Sequence, residues 1–361
     1  MSAVVRRRRP AALLLSIPFL SLVASGGHVR AESPPSESLF DSHETLRLTV
    51  RAPLRALVES TKEDHDTDLD RRGSIALAEG PEIPVTTGVF GKSRLKHCTM
   101  PPLVLDPDPV AARGTLFEDH SPLRIVTHCG YETGSDRWAL LEYLAYRTYQ
   151  IVADIALSVR LAEIEYHDTG RNDHKQIAYG FLVEDINVAA RDRGLEWLTL
   201  HRQSPSQIDP DQTIVLALFQ FMIGNTDWSV LRGPAGERCC HNMAVLGGET
   251  TSERQLLPFD FDQAGLVDAP YSQPSATVKL RNVRQRRYRG FCVHNDSLPA
   301  AVELFNQKRP LIEELFNDAS LPHPKIRQHA LRYVTNFFEL INNSKRLEKH
   351  ILQRCRSRSA N

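Results

Sequence analysis

The chain has little to separate its charges. Over 361 residues, 44 Lys and Arg face 44 Asp and Glu, so the formal net charge is zero. That balance excludes a whole-chain polycation built for nucleic acid and an acidic disordered chain. There is no Gly-x-Ser-x-Gly, no His-Glu-x-x-His and no Walker pattern, which leaves serine hydrolase, zincin and P-loop chemistry without support. No Cys-x-x-C pair occurs. Low-complexity tracts, collagen-like periods and heptad arrays are absent as well. Beyond residue 31 no apolar run is long enough to cross a bilayer, so no permanent membrane span is expected.

What is present is ordinary globular material. The apolar share is 41% and the charged share 24%, and a chain of this length accommodates two domains. Arg6 to Arg9 followed by the apolar stretch 11–24 and Val29-Arg30-Ala31 reads as a secretory signal over residues 1–31. Its removal takes five arginines and leaves 39 basic against 44 acidic residues, a net of −5. The expected location is extracytoplasmic. Cys98, Cys129, Cys239, Cys240, Cys292 and Cys355 can then pair, in any of about 15 ways. Cys239-Cys240-His241 is a poor zinc set, because neighbouring residues chelate one metal badly.

Residues 32–80 read as an N-terminal extension, with a strand over 46–50 and an acidic loop at Asp64, Asp66, Asp68 and Asp70. The loop resembles a calcium site in spacing but lacks the glycine and the twelfth-position glutamate, so it reads as a solvated loop. Strands are expected over 74–78, 83–87, 103–105, 123–127, 159–166 and 177–183, and a helix over 136–153. From residue 191 onward the chain is mainly helical. Asp209-Pro210 starts a helix that is apolar nearly all round and ends at Gly224. Further helices are expected over 299–317, broken near Pro310, and over 324–353.

The densest polar cluster follows the buried helix: Asn225-Thr226-Asp227, His241-Asn242, then Pro258-Phe259-Asp260-Phe261-Asp262. These types suit phosphoryl transfer, which needs Mg²⁺ or Mn²⁺ on oxygen ligands and a carboxylate beside the acceptor hydroxyl. Asp227 is the candidate catalytic base. Asn242 and Asp260 or Asp262 are the candidate metal ligands. The competing reading makes Asp260 and Asp262 turn residues and Asn225 and Asp227 a helix C-cap with its turn.

Gly224-Asn225-Thr226-Asp227, His241-Asn242 and Pro258-Phe259-Asp260-Phe261-Asp262 together resemble the motif series of the spore-coat kinase (CotH) family, and similar loops occur in HipA-like kinases. The stretch 126–149 is similar to a helix of that family. The resemblance covers roughly residues 84–265. It implies an α+β, two-lobed protein-kinase-like fold, with an antiparallel strand-rich N-lobe over 81–190 and a mainly helical C-lobe over 191–361. It also implies ATP as the phosphate donor and a protein Ser or Thr, or another hydroxyl, as acceptor. The alternative it allows is a catalytically inactive binding module of the cell envelope. The family's lysine-rich strand corresponds to 99–106 here and contains no Lys. Lys92, Arg94 and Lys96 lie just before it and Arg124 on the next strand, so Arg94, Lys96 or Arg124 would meet the phosphates. Glu142 corresponds to the glutamate that pairs with the phosphate cation, or is an ordinary helix glutamate. Glu184-Asp185 would join the lobes. The run Arg281, Arg284, Arg286, Arg287 and Arg289 either binds an anion or packs as ion pairs.

Overall fold

The computed structural model describes residues 38–64, 71–130, 132–248 and 254–357. The signal sequence, Asp66, Asp68 and Asp70, and the side chains of Asp64 and Lys92 lie outside the described residues.

The first half of the chain forms β1 (Leu46–Ala52), α1 (Leu54–Asp64), β2 (Arg71–Leu77), β3 (Ile83–Val89), α2 (Lys92–His97), β4 (Leu103–Pro107), β5 (Leu123–Val126), α3 (Arg137–Val152), β6 (Val159–Asp168) and β7 (His174–Val183). The seven strands close into a barrel in the order β1-β2-β3-β4-β5-β7-β6. Alternation drives it. Leu46, Leu48, Val50 and Ala52 are buried along β1, as a strand with one face in a core requires. They meet Ile75, Val85, Leu105, Ile125, Ile164 and Leu182 inside the barrel.

The second half forms α4 (Ile186–Asp192), β8 (Glu196–Trp197), α5 (Pro210–Ile223), β9 (Met243–Gly247), β10 (Gln255–Pro258), α6 (Leu298–Asn317), α7 (Pro324–Ile341) and α8 (Ser344–His350). The strands make a small sheet in the order β10-β9-β8. Asp209 caps α5 by accepting from the Gln212 amide at 2.7 Å, with Pro210 as the first helical residue.

The expected two-lobed protein-kinase-like fold is not what the chain forms. Its sheet is not an open antiparallel N-lobe but a closed, mixed barrel, because β1 pairs parallel to β6 from Leu46↔Ala162 to Ala52↔Asp168. That pairing uses a strand assigned to the N-terminal extension and removes the free edges of the sheet. The barrel wall also shares its outer core with the helices: Val126, Leu161 and Phe181 belong to one continuous cluster with Phe219, Phe261 and Phe337. Glu184 and Asp185 therefore lead from β7 into α4, where Asp185 accepts from the Asn187 amide at 2.9 Å, rather than forming an interlobe hinge.

Two helical boundaries also differ. α6 runs through Pro310 without ending; the proline lies on the exposed side, where a missing amide leaves no buried partner unsatisfied. The long C-terminal helix is split at Asn342-Asn343, and the Asn343 side chain caps α8 by accepting from the Arg346 amide at 3.0 Å. α1 was not expected from the sequence. The cysteines pair as Cys98–Cys129, Cys239–Cys240 and Cys292–Cys355. Among the described residues no helix is long and apolar enough to cross a membrane.

His128 is buried beside Tyr166 at the end of the barrel, with ring centroids 4.9 Å apart. Burial pushes its pKa down to about 4, against a weaker opposing hydrogen bond from Gln176. The unfolded chain protonates this imidazole below about pH 6.5, whereas the folded protein holds it neutral down to about 4. Stability is therefore lost as pH falls through that window, by about 3 kcal/mol in all. Urea denaturation between pH 6.5 and 4.5 should show a shallower loss in His128→Phe than in the parent; parallel profiles would remove His128 as the cause.

Candidate functional site

The site is built where α2, α3 and the segment after β10 converge. Arg94 lies on the short α2 and is buried. Its guanidinium is ion-paired with Glu142, which is 1% exposed on α3. The Arg94 Nε also donates to Asp262 Oδ2 at 3.3 Å. Burial would pull the Arg94 pKa down, but the charges of Glu142, Tyr271, Asp262 and Asp260 together hold it well above the usual range. This arginine is permanently charged.

The carboxylates around it are crowded. Burial, then Asp262 and Glu142, push the Asp260 carboxyl well above the usual carboxylate range. Burial raises Glu142 too, against the pull of Arg94. Local backbone bonds hold this crowding in place. The Glu142 Oε1 accepts from the Phe261 amide at 3.2 Å. The Tyr146 hydroxyl accepts from the Asp260 amide at 2.8 Å. Asp260 has φ 58°, and Asn242 φ 50°, the left-handed region that Asp and Asn tolerate better than most residues. Asp262 is buried and paired with Arg94, which the competing reading as a simple turn residue does not account for, whereas the half-buried Asp260 does take a turn conformation.

A cavity of about 350 Å³ opens on this cluster. Phe90, Val126, Leu157, Val183, Trp197 and Phe259 supply its apolar walls, and Arg94, Arg124, Glu142, Glu184, Asp260 and Asp262 its charges. Arg124 reaches it while paired with Asp185 at 2.8 Å. Lys96 is exposed on α2 and lines neither this cavity nor its neighbour.

Asp227 is positioned by the end of α5. Gly224 terminates the helix at φ 69°, and a Cβ there would strike the Tyr333 hydroxyl. The turn that follows is tied by Asn225 Oδ1, which accepts from the Asp227 amide at 2.8 Å. So Asn225 does make a turn, as the competing reading held, and that turn presents Asp227. The Asn242 Nδ2 donates to the Asp227 carbonyl at 2.7 Å and to its Oδ2 at 3.1 Å. His241 Nε2 lies 2.8 Å from Asp227 Oδ1, and that hydrogen bond raises the His241 pKa against a smaller effect of burial. The Phe259 amide donates to the Asn242 carbonyl at 3.2 Å, so the two loops meet. Asp227 contributes to the field on Asp260.

Of the residues anticipated from the sequence, Arg94, Glu142, Asp260 and Asp262 come together, Asn242 joins Asp227, Arg124 lies at the cavity wall and Lys96 stays outside. Tyr146, His241 and Tyr271 were not anticipated in these roles. Tyr146 was visible in principle, being four residues after Glu142 on the same helix face. Tyr271 carried no signal: its ring stacks on His97, 5.6 Å away, across a contact that only the fold creates. The basic run divides. Arg286 donates to the carbonyls of Met222 and Tyr333, at 2.9 and 2.6 Å, and Arg284 pairs with Asp268 at 3.0 Å. Arg287 and Arg289 instead line a second cavity.

Among the described residues, no group of three or more His, Cys, Asp and Glu side chains is arranged to hold a metal by itself. Comparison with known proteins finds no matching family model and no similar curated protein, so nothing in it identifies the chain with the spore-coat kinases.

Removing the Tyr146 hydroxyl should expose how far the site depends on its backbone bonds. Tyr146→Phe leaves the Asp260 amide without its partner and is expected to cost about 1–3 kcal/mol in urea unfolding. A variant as stable as the parent would show that this bond does not set the Asp260 conformation.

Proposed function

We propose that the chain is a metal-dependent phosphotransferase that passes the γ-phosphoryl group of ATP to a hydroxyl acceptor. The observation that carries this reading is the charge arrangement of the 350 Å³ cavity: apolar walls lead to a buried carboxylate cluster threaded by one arginine. The walls suit a flat base. The lining charges are four carboxylates and two guanidiniums, an excess of negative charge that repels a bare polyphosphate. A divalent cation reverses that repulsion, and Mg²⁺ or Mn²⁺ is commonly held by one or two protein carboxylates together with phosphate oxygens. A site of that kind has no need of three convergent protein side chains.

In this reading Asp260 and Asp262 would supply carboxylate oxygens to the cation. Asn242 would supply its side-chain Oδ1, since its Nδ2 is spent on Asp227. Arg94, fixed by Glu142, faces the phosphates, and Arg124 assists from the cavity wall. Asp227 accepts the acceptor's hydroxyl proton as the new oxygen–phosphorus bond forms and the bond from the γ-phosphorus to the β–γ bridging oxygen breaks, leaving ADP. The His241 and Asn242 bonds orient the Asp227 carboxylate for that task. We also propose that the protein works outside the cytoplasm. All six cysteines are paired, as an oxidising compartment favours, and residues 1–31 read as an export signal.

Titration calorimetry with ATP should show binding that requires Mg²⁺ or Mn²⁺ and weakens at least tenfold in Asp260→Ala. Asp227→Ala should retain that binding while losing phosphate transfer. Absence of nucleotide binding, or binding indifferent to Asp260, would sink the proposal. Binding without any transfer in the parent would identify a nucleotide-binding module instead.

A further inference from the structure

Beside Asp227 lies a second and larger cavity, of about 720 Å³. Its charged lining is one-sided. Arg232, Lys279, Arg287, Arg289, Arg354 and Arg356 all reach it, and among the described residues Asp227 is the only carboxylate in its wall. These cations come from three separate stretches of chain, and no ion pair among the described residues joins any of them to a carboxylate. Arg289 shows the consequence. Burial and the nearby Arg356 pull its pKa down to about 10, against a smaller opposing effect of Asp227. Its guanidinium donates to the Thr226 carbonyl and sits over Trp228, 5.7 Å from the ring centroid. Six cations with one carboxylate among them repel one another and stay together at a cost, which an anionic ligand relieves.

We propose that this cavity receives the acceptor, and that the acceptor is an acidic peptide whose Ser or Thr hydroxyl is presented to Asp227 with carboxylate side chains on either side. The inference rests on the phosphotransfer reading above for the chemistry, and on the basic lining for the substrate class. The volume of the cavity is that of several amino-acid residues. A peptide is favoured over a sugar polyanion by the aromatic groups: Trp228 and Tyr288 are both buried, and Arg289 covers the indole. Neither ring is offered as a stacking face for a pyranose. Ser229, Ser275 and Thr277 lie among the cations and can hydrogen-bond a peptide backbone. The transfer would follow the proton path already given: the Ser or Thr proton goes to Asp227, the hydroxyl oxygen bonds the γ-phosphorus, and ADP departs.

The test uses the full chain and a fluorescein-labelled Ser peptide flanked by Glu, with matched peptides carrying Gln or Lys in place of Glu. Anisotropy should show the Glu peptide binding at least tenfold more tightly than either control, with and without ATP and Mn²⁺. The double variant Lys279→Ala/Arg287→Ala should weaken that binding about tenfold, while ATP titration of the same variant matches the parent. Equal affinity for the three peptides would overturn the inference. So would a sulfated oligosaccharide that binds this cavity more tightly than the Glu peptide. Because peptide binding is read without nucleotide, the two proposals separate: charge-selective peptide binding without ATP binding upholds the basic cavity and sinks the phosphotransfer reading, whereas ATP binding and transfer without charge selectivity do the reverse.

Discussion

The arrangement turns on one buried cation. Arg94 holds Glu142 of α3 and Asp262 of the segment after β10 at once, and all three side chains are shielded from water. A buried charge is tolerable only with partners. Removing Arg94 would leave two carboxylates and the neighbouring Asp260 facing each other in a medium that cannot screen them. Removing either carboxylate would leave less to offset the cost of burying the guanidinium. The bridge therefore binds the short helix α2 to the long helix α3 and to the loop after the small sheet. A disulfide between Cys98 and Cys129 fixes the end of α2 to the chain just after β5, so that helix is anchored at both its charge and its end.

From that bridge the two cavities acquire opposite characters. The smaller one concentrates carboxylates around Arg94, with apolar walls to one side. The larger one gathers cations around Asp227. Between them lie the loops joined by the Phe259 amide and the Asn242 carbonyl. Electrostatics of this kind costs no rearrangement during a reaction, because the fold has already fixed the charges. A negative cavity suits a cation and a positive cavity an anion, and the charge of Asp227 is felt by both Asp260 and Arg289.

Much of this was readable from residues alone, and the reason is local. Asp209-Pro210 and Gly224 bound α5 because caps and turns act within a few residues. The strands of the barrel follow from alternation over short windows. The loop residues Asp227, Asn242, Asp260 and Asp262 could be singled out because polar residues clustered after an apolar helix are conspicuous. Closure of the sheet was not readable. Parallel pairing of β1 with β6 joins segments far apart in sequence, and neither strand carries a local mark of its partner or its direction. The same holds for the split at Asn342-Asn343, where one side-chain cap decides between a continuous helix and two. Glu142 fell between these cases: its helix was evident, but whether its carboxylate was solvated or buried depended on Arg94 reaching it.

The use of arginine rather than lysine at this position follows from geometry. An ammonium in place of the Arg94 guanidinium would be a poor substitute here. A single ammonium is a point charge that gathers its partners around one nitrogen. Arg94 must reach a helix on one side and a loop on the other, and it does so with different nitrogens: the Nε meets Asp262 and a terminal nitrogen meets Glu142. Five donors on a rigid plane allow both bonds and leave further N–H groups to point toward the cavity. The guanidinium also keeps its proton under any ordinary condition, which burial would threaten for an ammonium. A cation that is at once a structural bridge and a wall of a cavity is therefore better made from arginine.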